Sequence, residues 1–360
     1  MERFLCKTQI LSGPGSLSAL AQLPIQRLLV VADPYFYENG TAQHIAHISG
    51  AEATEIFHRV RPDPDVTLAA EGTQLVQTFR PDTVIALGGG SAMDCAKAMV
   101  YFSGTQATLI AIPTTSGSGS EVTDFAILTH DGVKHPLVDE ALRPRIAILD
   151  SDLVQSLPRS LIADGGYDLI SHALEAWAAT GAGQISDALA LSALQTALTQ
   201  LPRSFRGEAQ ARDKVHTAAT MAGMAFSGAG LGLCHALSHA LGGEFHIPHG
   251  RLNAILLPAV MECNATTAGH RYADLARQLG LSTGADSIAV RALKQALLRL
   301  RRELGLPDTL SAAGVTPAQV EAKRDALVQA ALADPCCATN PRPVEAEHIR
   351  HILHQVMGHG

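Results

Sequence analysis

Four histidines, His235, His239, His246 and His249, crowd the stretch CHALSHALGGEFHIPHG at 234–250, inside an otherwise apolar run. Imidazole nitrogens suit a divalent ion such as Fe(II) or Zn(II), and they also exchange protons near neutral pH. His235 and His239 lie four apart, so they share one helix face at about 6 Å along its axis. Gly242 and Gly243 read as the end of that helix, and His249 follows Pro248 at the start of the next. A chain reversal at the glycines would bring His249 back beside the first helix, whereas His246 falls in the turn and reads as a surface residue. Upstream, LIADGGYDLISHALEAW sets Asp168 and His172 four apart on an apolar face. Alone, that pair reads as a buried Asp–His hydrogen bond rather than a metal site. Together with the histidine-rich stretch, it reads as a divalent-metal site drawn from Asp168, His172 and two of His235, His239 and His249.

A second kind of chemistry sits in the first half of the chain. TVIALGGGSAMDCAKAM ends an apolar strand in three glycines and opens a helix at once. Glycine admits close backbone approach to a pyrophosphate, and the helix start offers unpaired N–H groups and a positive dipole end. Ser91 and Asp94 also form an S-x-x-D pattern, which would make the same segment an ordinary capped helix. IPTTSGSGSEVTDFAI, at 112–127, adds hydroxyls and glycines after another apolar strand, together with Glu121. Asp33, closing LLVVAD, is placed to accept from a ribose hydroxyl and to repel a 2′-phosphate, favouring NAD over NADP. Capping the turn before Pro34 is its competing role.

The elements that must position these residues change character midway. QRLLVVAD (26–33), DTVIALGGG (82–90), ATLIAIPTT (107–115) and RIAILD (145–150) are continuous apolar runs, which fit parallel strands covered on both faces. Beyond about residue 160 the chain reads as helix after helix, Ala- and Leu-rich, a bundle with a thick core. The expectation is an α/β domain over 1–158 and an all-helical domain over 159–360, divided near Pro158. The tail DPCCATNPRP reads as a loop before a last helix.

With 360 residues, 47% hydrophobic and 17% charged, the chain can build two large cores. A net charge of −7 offers no footprint for nucleic acid or an anionic membrane. Its six scattered cysteines match neither a zinc finger nor a disulfide framework, and no long apolar segment marks export or insertion. Cytoplasmic location is therefore expected.

Taken in order, GGGSAMDCAK, PTTSGSGSEVT, KHPLVDEALRPRIAILD, GYDLISHALEAW and GMAFSGAGLGLCHALSHALGGEFHIPHG resemble the iron-containing (group III) alcohol dehydrogenase family. The third histidine region and AALADPCCATNPRPVEAEHIR are most similar to the members that serve bacterial microcompartments for propanediol or ethanolamine. That resemblance implies a Rossmann-like NAD(H) domain followed by a helical metal domain, the dehydroquinate synthase-like fold, acting on a small aldehyde or alcohol. It makes Asp168, His172, His235 and His249 the ligands of Fe(II), with Zn(II) served by the same set, and leaves His239 near the nicotinamide as a proton relay. It assigns Gly89, Gly90, Ser91, Asp94, Thr114, Thr115, Ser118, Thr123, Asp33, Lys134, Leu153 and Asp63 to the cofactor, and Phe226 to the substrate pocket. It also implies a homodimer and association with a microcompartment enzyme partner, although KTQILSGPG starts near the N-terminus with no amphipathic leader before it. Ser118 stands where Thr is usual and Arg251 where an aliphatic residue is common. Gly165 and Gly166 precede Asp168 where a single glycine is usual. A glycerol-type polyol dehydrogenase is the alternative, but its pocket should be more polar than AGMAFSGAGLGLCH. A dehydroquinate-synthase-like lyase would need more Lys and Arg around the metal region.

Overall fold

The computed structural model describes residues 4–130 and 133–358. They form two compact units, one of Cys6–Leu157, the other running from Pro158 with Phe4 and Leu5.

The first unit runs β1 (Gln9–Ser12), β2 (Arg27–Ala32), α1 (Pro34–Glu38), α2 (Thr41–Ser49), β3 (Ala53–Phe57), α3 (Val66–Phe79), β4 (Thr83–Gly88), α4 (Gly90–Ser103), β5 (Thr108–Pro113), β6 (Phe125–His130), β7 (Val133–Val138) and β8 (Ile146–Leu149). Six strands make one sheet in the order β1-β8-β5-β4-β2-β3, every pair parallel. Leu28, Val30, Ile85 and Leu87 belong to one buried cluster, while Leu29, Val31, Val84 and Ala86 belong to another. Adjacent residues thus face opposite layers of core, which is why these strands are apolar without alternation.

Two features of this unit differ from the sequence reading. β6 and β7 form an antiparallel hairpin apart from the main sheet, and β3 is an edge strand with Glu55 exposed, so neither carries a long apolar run. The S-x-x-D cap at Ser91 does not form: Gly89 is the N-cap of α4, no side chain caps it, and Asp94 turns elsewhere.

From Pro158 the described residues hold only helices and short 3-10 turns: α5 (Arg159–Ala178), α6 (Gln184–Phe205), α7 (Ala209–Ala229), α8 (Leu233–Phe245), α9 (His249–Gln278), α10 (Asp286–Glu303), α11 (Pro317–Ala333) and α12 (Ala346–Met357). α5 is buried along nearly its whole second half, from Gly166 to Ala178. Gly166 permits this packing, because a Cβ there would lie 2.4 Å from the Leu201 methyls of α6. α8 continues through Gly242 and Gly243, expected to end it, and stops only at Phe245, where His246 adopts a left-handed conformation (φ 54°). No single helix among the described residues is long and apolar enough to cross a membrane.

Candidate metal centre and nucleotide loop

α5, α8 and the first turn of α9 bring one carboxylate and three imidazoles together. The Nε2 atoms of His172, His235 and His249 lie 3.8, 3.9 and 3.6 Å from Asp168 Oδ1. Those separations exceed hydrogen-bond length and match donors arranged around a point. The donor atoms of Asp168, His172 and His235 all lie within 4.8 Å of one another. Local sequence explains the arrangement: Asp168 and His172 stand one turn apart on α5, His235 opens α8, and His249 is the first residue of α9. The Gly-Gly pair does not itself reverse the chain; the left-handed His246 does, one turn later.

Each donor is held by a neighbour. Glu175, one turn beyond His172, accepts the backbone N–H groups of Gly232 (3.0 Å) and Cys234 (2.7 Å) at the start of α8, and pairs with His235 Nδ1 at 2.6 Å. When Glu175 is ionised its oxygens only accept, which puts the ring proton on Nδ1 and leaves the Nε2 lone pair facing Asp168. Burial, then His172 and His239, hold His235 well below the ordinary imidazole range, so the ring is neutral. Burial lifts Glu175 to about 7 against the pull of its N–H donors. His235 Nε2 is buried and has no hydrogen-bond partner among the described residues. Such an atom costs about 1–3 kcal/mol unless something else, such as a cation, engages it. Asn253 donates to Asp168 Oδ1 at 2.9 Å and accepts from the Ser238 hydroxyl. Burial raises the Asp168 carboxyl, opposed by His172 and Asn253. Phe226 stacks on His172, with centroids 4.5 Å apart, and packs beside Leu231, Ala236, Cys336 and Cys337.

His239 stands apart from this ring set. Its ring stacks on that of His249 at 5.2 Å, and its Nδ1 pairs with Asp334 Oδ2 at 2.7 Å. Burial pushes Asp334 up, but His239 and the Cys336 N–H outweigh it and leave the carboxyl below its usual value. Asp334 comes from the segment read as a plain loop, which instead forms a 3-10 turn, Pro335–Thr339. His246 is exposed.

In the first unit, the glycine turn and the hydroxyl-rich loop pack on each other. A Cβ on Gly89 would come 3.1 Å from Thr115 Oγ1, and one on Gly90 3.5 Å from Ser118 Cβ. Gly88 has φ +154°, a conformation side chains disfavour, and Thr114 donates its N–H to the Gly88 carbonyl. Beneath the loop, Lys97, 1% exposed, donates to Ser120 Oγ (2.9 Å), Thr123 Oγ1 (3.1 Å) and the Phe125 carbonyl (2.7 Å). Burial lowers its ammonium to about 8 and raises neighbouring Asp94, which accepts from Ser120, to about 6. Asp94 and Thr123 therefore bind the loop to α4, while Gly89, Gly90, Ser91, Thr115 and Ser118 surround the helix start. Asp33 caps α1 through the Phe36 N–H (3.3 Å) and lies 3.8 Å from where a Gly88 Cβ would be. Asp63 and Lys134 pair with each other at 2.7 Å, and Leu153 packs against the sheet core.

A nucleotide-type loop in an α/β unit and a carboxylate–imidazole centre in a helical one are the parts that a metal-dependent dinucleotide oxidoreductase requires. Family models agree: the "Iron-containing alcohol dehydrogenase" model matches residues 7–151, and the "Fe-containing alcohol dehydrogenase family, C-terminal" model matches 162–357. The chain belongs to the iron-containing alcohol dehydrogenase family. A 1-propanol dehydrogenase of Salmonella typhimurium is 40% identical to it, over 99% of this chain and 100% of that one. The iron-containing alcohol dehydrogenase of Thermococcus thioreducens superposes with a TM-score of 0.91 at 33% identity, covering 98% and 99% of the two chains. A sulfoacetaldehyde reductase of Bifidobacterium kashiwanohense, solved in complex with NAD+, superposes with a TM-score of 0.88 at 26% identity, covering 99% and 98%.

Glu175, Asn253, Asp334 and Lys97 escaped the sequence reading. Glu175 was visible as the third step of an i, i+4, i+7 stripe with Asp168 and His172, an acid on an apolar face. Lys97 was visible as a cation inside an apolar helix. Asn253 and Asp334 carried no local signal, since only packing brings them to their partners.

Proposed function

We propose that this alcohol dehydrogenase interconverts short-chain aldehydes and primary alcohols, propionaldehyde with 1-propanol or acetaldehyde with ethanol, using NAD(H) and Fe(II). The observation that carries the metal reading is His235 Nε2, buried, neutral and without a hydrogen-bond partner among the described residues, aimed at Asp168. Asp168, His172, His235 and His249 would hold the ion; Zn(II) suits the same donors. When bound, the ion supplies Lewis acidity toward the substrate oxygen and the nicotinamide exchanges the hydride.

This chain's own residues would do the rest. Gly89, Gly90, Ser91, Thr115 and Ser118 bind the dinucleotide phosphates through backbone N–H groups and hydroxyls. Asp94, Thr114 and Thr123 hold that loop, and Asp33 discriminates against a 2′-phosphate. Asp63, Lys134 and Leu153 retain their cofactor assignment from the family motif. His239, its Nδ1 engaged by Asp334, presents Nε2 as the base that takes the hydroxyl proton on oxidation and returns it on reduction. Phe226, partly buried, stacked on His172 and backed by Leu231 and Ala236, offers an apolar face that suits an alkyl chain and disfavours a polyol. Association as a homodimer and with a microcompartment enzyme partner is proposed from the family motifs and is testable by light scattering and co-purification with shell fractions.

The decisive assay is NADH oxidation by anaerobically prepared protein with propionaldehyde, acetaldehyde and glyceraldehyde, alongside elemental analysis. The expected order is both short aldehydes well above glyceraldehyde. Turnover confined to glyceraldehyde, or none with any short aldehyde, would refute the reading.

A further inference from the structure

Arg251 stands two residues from the proposed ligand His249, and its surroundings give it a task. It sits in the first turn of α9, two residues after His249, and its guanidinium forks onto Asp164 of α5, Nε to Oδ1 at 3.2 Å and Nη2 to Oδ2 at 3.0 Å. Asp164 is one helical turn before Asp168, with its side chain 9% exposed. Between them, Gly250 rests directly on α5: a Cβ there would fall 1.9 Å from the Asp164 carbonyl oxygen, so no other residue allows this approach.

The start of α9 lacks the usual means of fixing itself. Its N-cap is Pro248, and no side chain caps the first turn. A cation at such a helix start is also opposed by the helix dipole. Arg251 is tolerable there because Asp164 supplies the anion that both the guanidinium and the dipole favour. Burial lifts the Asp164 carboxyl and Arg251 pulls it back down, with Asp168 adding to the lift. The bidentate pair instead ties the first turn of α9 to the helix that carries Asp168.

We infer that the Asp164–Arg251 fork is a positioning clamp that sets His249 against Asp168, so that Arg251 tunes metal affinity through the fourth ligand. The inference rests on the proposed ligand set. His249 is the donor that most needs such help: its side chain is 28% exposed, against 6% for His172 and 2% for His235. Asn253, one turn beyond His249 along α9, secures the same helix to Asp168 at 2.9 Å, so two successive contacts tie the start of α9 to α5.

The test is a double-mutant cycle on the full chain, with Co(II) as the probe metal: affinity by chelator competition, coordination by its visible absorption. Arg251→Met keeps the stem and removes the fork; Co(II) affinity should fall by about tenfold, the scale of lost outer-shell support. Arg251→Lys, a charge without the fork, should weaken binding comparably. Arg251→Met/Asp164→Asn, which leaves no buried carboxylate without its cation, should stay weak if geometry matters. Recovery there would overturn the clamp and trace the loss in Arg251→Met to a buried carboxylate left without its cation, and this variant also serves if Arg251→Met folds poorly. On a His249→Ala background, Arg251→Met should cost less than about twofold more, because its target is gone. Equal losses with His or Ala at 249, or unchanged affinity in Arg251→Met, would overturn the inference. If His249→Ala alone binds Co(II) like the parent, the ligand assignment itself fails, and that outcome is separate from the others.

Discussion

Glu175→Gln is a one-atom change that the site cannot absorb. The carboxylate takes three backbone N–H groups, Cys234 on Oε1 and Gly232 with His235 on Oε2, and Oε2 also meets His235 Nδ1 at 2.6 Å. Glutamine has one acceptor oxygen and one donor nitrogen. If its NH2 takes the Oε2 place, it confronts the Gly232 N–H and turns His235 Nδ1 into an acceptor, moving the ring proton to Nε2 and blocking the proposed ligand atom. If the amide flips, the NH2 confronts the Cys234 N–H instead. Either way at least one buried N–H goes unsatisfied, Gly232 and His235 in the first arrangement and Cys234 in the second, a destabilisation of about 1–3 kcal/mol per group. In the first arrangement metal affinity should drop roughly 10- to 100-fold, as expected when the partner of a ligating histidine is lost. Chelator-competition titration with Co(II) measures the affinity, and urea unfolding of the metal-free protein measures the stability. Unchanged affinity together with unchanged unfolding would refute the reasoning that Glu175 fixes the His235 tautomer.

The remaining predictions concern the ring set, the buried lysine and the cofactor. His249→Ala should lose tight metal binding and turnover together, while His239→Ala should keep the metal and lower the rate about 10²- to 10⁴-fold, the usual worth of a positioned acid–base group; elemental analysis showing the reverse pattern would reject the assignment. Lys97 has its ammonium lowered from the usual 10.5 to about 8 by burial, so between those values the unfolded chain binds more protons and stability should rise with pH. In Lys97→Met that rise should vanish from urea midpoints taken across the window, and parallel curves for the two proteins would exclude it. Asp33→Asn keeps the α1 cap but removes the charge, so the NADPH-to-NADH ratio of kcat/KM should increase at least about tenfold; an unchanged ratio would remove Asp33 from cofactor choice.

Much of the molecule was legible in the chain itself. Continuous apolar strands such as LLVVA and TVIALG identify a sheet covered on both faces, and Asp168 with His172 at one-turn spacing identifies a polar spot on a buried helix. Those signals are local, because strand burial and helix periodicity depend on residues a few positions apart. The β6–β7 hairpin and the edge strand β3 were missed because their half-exposed pattern is weak. The S-x-x-D pattern misled because Asp94 finds Ser120, 26 residues away, a better partner than its own helix start. The histidines show the division most clearly. Spacing joins His235 with His239, yet packing parts them: His235 turns to Glu175 and Asp168, while His239 turns to Asp334, 95 residues further on. Residue types and local periodicity determined that this chain holds metal-type and nucleotide-type chemistry on an α/β unit and a helical one. Which donor faces which, and what holds it there, was decided by tertiary contacts between distant segments, because a side chain's orientation and protonation are set by the partners that bury it.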